Sequence, residues 1–193
     1  MLLQIVSLLI SSLSLFQNGA TNKDAQPNSY EDAEAYEVYS VILPTVWPSL
    51  LGNAKSLVIR SETIGYKMCL QPEAESEKII GQAISEYVKL NKMAWLLQRR
   101  LSIEKPYELI PYDELRSALK QGGWENFYKQ YPNSGGWIEL SAIGFNADKT
   151  VAVVYMGRHS WSLSGGGRFH VLQKKDGKWT PLKLKWPRCA WES

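Results

Sequence analysis

The dipeptide Asp176-Gly177, set between the runs Arg168–Lys175 and Lys178–Trp186, constrains this chain more than any other feature. Asp-Gly between two alternating runs is the preferred chemistry of a two-residue type I′ hairpin turn, whose central residues both take positive φ. Such a turn fixes a register. Lys175 lies opposite Lys178, Val171 meets Leu182, and Phe169 meets Leu184. Side chains switch face at every residue of a strand. Phe169, Val171, Leu182, Leu184 and Trp186 therefore share one face, read as core. The other face carries Arg168, His170, Leu172, Lys174, Trp179, Lys183 and Lys185, and reads as a basic, solvated sheet face.

Two further alternating runs precede this hairpin. Trp137–Phe145 and Thr150–Arg158 are joined by the turn Asn146-Ala147-Asp148-Lys149, which makes an antiparallel meander of the whole stretch from Trp137 to Trp186. Upstream, Ser29 is placed to cap a helix with Asp32 in its first turn, and Tyr36, Tyr39, Leu43 and Val46 recur at helical spacing. Pro44 predicts an end to regular helix near Leu43. Ser56–Thr63 reads as a strand. A second helix opens at Gln71-Pro72-Glu73 and stops either near Asn91 or near Arg100. Tyr107–Ile110 reads as extended, and Asp113–Lys120 and Trp124–Gln130 as short helices parted by Gly122-Gly123. The expected fold is α+β, with a four- to five-stranded antiparallel sheet and helices packed on one face. The element order is similar to cystatin-like or nuclear-transport-factor-like folds, an analogy of architecture that says nothing of function.

At 193 residues, 45% hydrophobic and 21% charged, the chain has the makings of one core-forming domain. A net charge of +3 is too small to point to nucleic acid. Residues Leu2–Phe16 form an apolar stretch of about 15 residues, short of the roughly 20 a membrane span needs. Asn18-Gly19-Ala20 offers a small residue for cleavage. We therefore expect a signal peptide over 1–20, a polar linker over 21–29 and a domain over 30–193, in an exported protein with no stable membrane span after processing. The alternative is a membrane anchor through residues 2–16. Cys69 and Cys189 are the only cysteines. In an exported chain they either pair, with a stabilisation of about 4–5 kcal/mol from closing so long a loop, or stay as two separate thiols.

The loop His159–Gly167, HSWSLSGGG, is longer than a hairpin requires. Gly165, Gly166 and Gly167 permit positive φ and an anion nest of backbone N–H groups. Arg158, His159, Arg168 and His170 surround the loop, and Arg158 paired across its mouth with Arg168 would clamp a carboxylate or phosphate. Trp161 completes the candidate binding residues. Catalytic motifs do not fit. The glycines lead into a strand without the Lys-Ser/Thr of a phosphate loop. Ser160, Ser162 and Ser164 lie near His159 without a nucleophile elbow or an assignable acid, and two histidines alone hold no zinc. Glu62 and Glu139 are a carboxylate pair that sequence cannot place. The sequence thus favours a non-catalytic binding module, with no cofactor, using residues 159–167 and the basic sheet face. Its partner would be an envelope or extracellular protein or an anionic ligand, not nucleic acid. The alternative is a small hydrolase-like envelope enzyme with its site at the same loop.

The blocks Gly135-Gly136-Trp137 through Phe145-Asn146-Ala147-Asp148-Lys149-Thr150, Ala152-Val153-Val154-Tyr155, and Lys174-Lys175-Asp176-Gly177-Lys178-Trp179 resemble a family of uncharacterised exported bacterial proteins. That family carries a similar S-x-x-G-F-N-x-D-x-T-x-A-x-V-Y strand pair and K-x-D-G-K-W hairpin. Tyr36-Glu37-Val38-Tyr39-Ser40 and Trp124–Pro132 are similar to its upstream blocks. The resemblance covers most of the chain after Ser29 and implies no activity. It does imply a difference. Where the family has C-G-x-L-C-G in the loop, with a local disulfide, this chain has Ser160 and Ser164 with Leu163 kept. The loop is thus expected to lack that staple and to be more mobile.

Overall fold

A computed structural model describes residues 26–45, 54–66, 69, 78–161, 164–183 and 190–192. The expected signal peptide and the start of the linker lie outside the described residues. Among the described residues no helix is long and apolar enough to cross a membrane.

Helix α1 (Ala33–Thr45) begins after Asp32, whose Oδ1 accepts the amide of Glu34 at 3.1 Å. A short acceptor beside the first free N–H groups is what an N-cap needs. Asp32 fills that role in place of Ser29, which lies in a bridge to Leu96. The helix runs through Pro44. In the last turn the missing amide removes one bond where the helix is about to stop in any case.

Strand β1 (Leu57–Arg60) is followed by helix α2 (Lys78–Leu90), which ends at Asn91, and then by strand β2 (Tyr107–Ile110). Helices α3 (Tyr112–Lys120) and α4 (Gly123–Gln130) lead into β3 (Trp137–Leu140), β4 (Gly144–Phe145), β5 (Val151–His159), β6 (Gly166–Lys175), β7 (Lys178–Pro181) and β8 (Ala190–Glu192). The sheet order is β2-β1-β3-β5-β6-β7, with β4 also on β5 and β8 also on β6. The antiparallel hairpins are as expected. The sheet itself is mixed and larger, because β1 runs parallel to both β2 and β3. Each parallel pairing needs a crossover, and α2 and the α3–α4 pair lie in those two crossovers.

Both faces of the sheet are covered, not one. On the first face α1 buries Tyr36, Tyr39, Ile42 and Leu43 against Ile59, Ile138, Leu140, Val154, Met156 and Leu172. On the second face α2 packs Ile80, Ala83 and Tyr87 on Val151, Val153, Tyr155 and Val171. Beside it, Leu115, Ala118 and Phe127 of α3 and α4 cover Val58 and Trp137. Strands buried on both sides lose the alternation on which a one-faced reading depends, and β5 is buried at nearly every position.

The expected strand Trp137–Phe145 is broken at Ser141–Ile143. There Asn91 Oδ1 accepts the amide of Ala142 at 2.9 Å and its Nδ2 donates to the Ala142 carbonyl at 3.0 Å. Asn91 thereby replaces a strand neighbour. The type I′ turn forms as expected, with φ of 50° at Asp176 and 74° at Gly177, and Lys175 opposite Lys178. The amide of Leu182 donates to the Val171 carbonyl at 2.8 Å. Leu184, Lys185 and Trp186 lie outside the described residues.

Candidate functional site: the β5–β6 loop

Strands β5 and β6 pair with Arg158 opposite Gly166 and Met156 opposite Arg168. The two arginines therefore do not face each other across the mouth of the loop, as an anion clamp would require. Arg158 is only 4% exposed. Its Nη1 donates to the Gly135 carbonyl at 3.0 Å, and its Nη2 donates to the carbonyl and Oγ of Ser164 at 3.0 and 3.2 Å. Burial draws its pKa below the ordinary value, but a guanidinium stays charged across the physiological range. Arg158 thus ties the return arm of the loop to the turn before β3. A planar fork that reaches two carbonyls suits that work.

The glycines act differently from expectation. Gly166 and Gly167 belong to β6, and none of Gly165, Gly166 and Gly167 has positive φ, so no anion nest forms. A Cβ on Gly167 would overlap the Tyr155 hydroxyl and the Trp191 indole nitrogen, so its absence makes room for aromatic side chains. Among the described loop residues the positive φ falls on Trp161, at 46°. That conformation is uncommon for a bulky residue and costs about 1–2 kcal/mol. Trp161 is also 55% exposed and packs one side against Tyr128, with centroids 5.1 Å apart. The Tyr128 hydroxyl donates to Ser160 Oγ at 3.2 Å. Trp161, Tyr128 and Pro132 border an open depression of about 460 Å³, whose wall adds the hydroxyls of Ser134, Ser160 and Ser164.

His159 projects from the opposite sheet face to Arg158 and away from this depression. Its Nε2 lies 2.8 Å from Glu139 Oε2, and its ring stacks on Trp137 with centroids 5.1 Å apart. Glu139 also accepts from Arg60 Nη1 at 3.3 Å, and Arg60 Nε reaches Glu62 Oε2 at 3.4 Å. Glu62 and Glu139 are thus held on either side of one guanidinium, which lies 4.0 Å from the Tyr112 ring centroid. Burial raises the pKa of Glu139, but the hydrogen bond and charge of His159 and the charge of Arg60 outweigh it. The carboxyl ends below its ordinary range. A histidine oriented by a carboxylate is one half of a general-base device. Among the described residues Glu139 is its sole hydrogen-bond partner, so no serine or cysteine nucleophile stands against it.

Arg168 and His170 are half-buried on the α1 side of the sheet. The face expected to be basic and solvated is roofed there by α1. Leu172 and Trp179 are buried, and Glu34 Oε1 accepts both Lys174 Nζ at 2.5 Å and Trp179 Nε1 at 2.6 Å. Among the described members of the expected cluster only Lys183 is exposed, and Lys185 lies outside the described residues. Cys69 is exposed and disulfide-bonded, while Cys189 lies outside the described residues. Among the described residues no group of three or more His, Cys, Asp or Glu side chains could hold a metal ion.

Sequence reasoning named Glu139 without placing it, and did not assign Tyr128 or Ser134 to the site. Glu139 had one usable signal, a carboxylate inside an otherwise apolar strand run. Tyr128 and Ser134 had none, because they reach the loop from a helix and a turn across the fold. No family model, curated protein or solved structure matches the chain, which leaves the cystatin-like and nuclear-transport-factor-like analogies without support.

Proposed function

We propose that this chain is an exported, non-catalytic binding module whose contact surface is the β5–β6 loop, centred on Trp161. One observation carries the reading. A large indole is held in an unfavourable backbone conformation, more than half exposed, at the edge of an open depression. An indole with only structural work would be buried or relaxed, whereas exposed aromatic side chains on rigid supports are the usual anchors of recognition surfaces. The support here is Arg158, which ties Ser164 to Gly135, and Tyr128, which backs the ring. Export is supported by the apolar segment Leu2–Phe16 and by the disulfide at Cys69, which belongs to an oxidising compartment. The resemblance to exported bacterial proteins points the same way.

The test is affinity capture from envelope extract, comparing wild type with Trp161→Ala. We expect partners retained by wild type to be lost from the variant at unchanged thermal stability. Identical retention by both would refute the reading. Mass spectrometry of the mature amino terminus tests export, since an intact Met1 excludes cleavage.

The His159–Glu139 pair favours a hydrolytic alternative. Turnover of activated esters that is lost in His159→Ala would establish it.

A further inference from the structure

We infer that the ligand of the Trp161 surface is a neutral saccharide. The inference rests on the binding reading above and follows from what lines the depression. Among the described residues that line it Arg158 is the one charged side chain, and that guanidinium is buried and donates to the Gly135 and Ser164 carbonyls. An anion would meet a charge already committed to internal acceptors, and a cation would be repelled by it. The ligand that fits is therefore uncharged.

The remaining lining divides into two kinds of surface. One is flat and apolar, made of the exposed indole of Trp161, the Tyr128 ring behind it and the Pro132 ring. The other is hydroxylic. Each hydroxyl oxygen has one donor and two acceptor positions, and the internal bonds use only part of that capacity. Ser160 Oγ accepts from Tyr128, Ser164 Oγ accepts from Arg158, and Ser134 Oγ donates to the Tyr131 carbonyl. Ser160 and Ser164 keep a proton to donate, and Ser134 keeps lone pairs to accept. Groups able to both give and take hydrogen bonds match ligand hydroxyls, which do the same.

A pyranose joins both properties. It has an apolar face of C–H groups that lies flat on an aromatic ring, and a rim of hydroxyls. A purely apolar ligand would desolvate the remaining donor and acceptor positions of the serines and leave them unmet, at about 1–3 kcal/mol for each such group. An extended peptide would need an exposed strand edge or an amide ladder, whereas the main-chain carbonyls of Gly135 and Ser164 are occupied by Arg158. The depression is open, so the ligand binds along its surface.

The experiment titrates the full exported chain calorimetrically with maltohexaose, cellohexaose and chitohexaose, with inorganic phosphate and a polyproline peptide as comparators. We expect saturable binding of at least one hexasaccharide, insensitivity to salt that screens exposed charges, and weakening by about tenfold or more in Trp161→Ala. Trp161→Phe should recover part of it, and Ile79→Ser, which removes an exposed apolar side chain elsewhere, should bind as wild type. Binding of none of the three saccharides, saccharide binding unchanged in Trp161→Ala, or saturable binding of phosphate or the peptide alone would each overturn the inference. If the saccharides fail while capture from envelope extract still depends on Trp161, the ligand class is wrong and the binding module stands. If capture is also independent of Trp161, both fall.

Discussion

Glu139 reaches His159 diagonally across the β3–β5 ladder, because the residue directly opposite Glu139 is Gly157 and a side chain there would fill the gap. The pair is mostly buried and shares its carboxylate with Arg60. Glu139→Ala leaves both Arg60 and His159 without that acceptor. We expect a loss of about 1–3 kcal/mol in urea unfolding, with melting lowered by roughly 2–4 °C per kcal/mol.

The same carboxyl makes stability depend on acid. Its folded pKa lies below the ordinary value of 4.5. The folded state therefore favours the ionised form, and the contribution is present above the unfolded value. It is lost as pH falls from 4.5 through the folded value. Unfolding free energies measured across that acid range should fall less steeply in Glu139→Gln than in wild type.

Alkali acts through the tyrosines. Burial raises Tyr87 and Tyr155 to about 12, from 10.0 in the open chain. Here the folded state favours the neutral phenol. The stabilisation is complete below pH 10 and is lost as pH rises toward 12. Phenolate absorbance should then rise together with loss of near-ultraviolet dichroism, and Tyr155→Phe should flatten the fall in stability over that interval.

Two glycines should respond oppositely to alanine. A Cβ on Gly144 would lie on the Ala83 carbonyl oxygen and the Tyr87 amide of α2, both backbone atoms that cannot step aside. Gly144→Ala should cost about 3 kcal/mol or more and reduce soluble yield. Gly177 has φ of 74° with open space around it. Its alanine variant should cost only about 1–2 kcal/mol, from backbone strain alone.

Arg158→Ala should speed amide hydrogen exchange at the described loop residues His159–Trp161 and Ser164–Gly165 more than anywhere else, because it removes the bonds to Gly135 and Ser164. Arg158→Lys should not restore protection, since one ammonium cannot span both carbonyls with the geometry of a fork. Equal exchange in wild type and both variants would show that the clamp does not hold the loop.

Local chemistry was the legible part. Asp176-Gly177 announced its turn and register, and Tyr112–Lys120 and Gly123–Gln130 follow their apolar spacing closely. Alternation told which residues share a face, but not what lies over that face. Lys174 looked solvent-facing until Glu34 of α1 came down on it. The parallel pairing of β1 with β2 and β3 was invisible for a related reason, since backbone hydrogen bonds between distant strands leave no trace in side-chain period. The site followed the same division. Trp161 and the loop were singled out as candidates from local composition. The clamping duty of Arg158 needed the β5–β6 register, which no turn residue fixed.

The contact between Glu34 and Trp179 also sets an order of events. The carboxylate stands in the first turn of α1, and the indole that it binds lies in β7. A ribosome delivers the helix long before this partner, so Glu34 must wait for Trp179 while β1 to β6 emerge and cover most of the apolar face of α1. Closing so distant a contact is slow. A chain that can make this contact only after the β6–β7 hairpin appears completes the packing of its first helix late in synthesis. A chain cut before Lys178 would leave Glu34 without the Trp179 indole and uncover the part of α1 that β7 packs against.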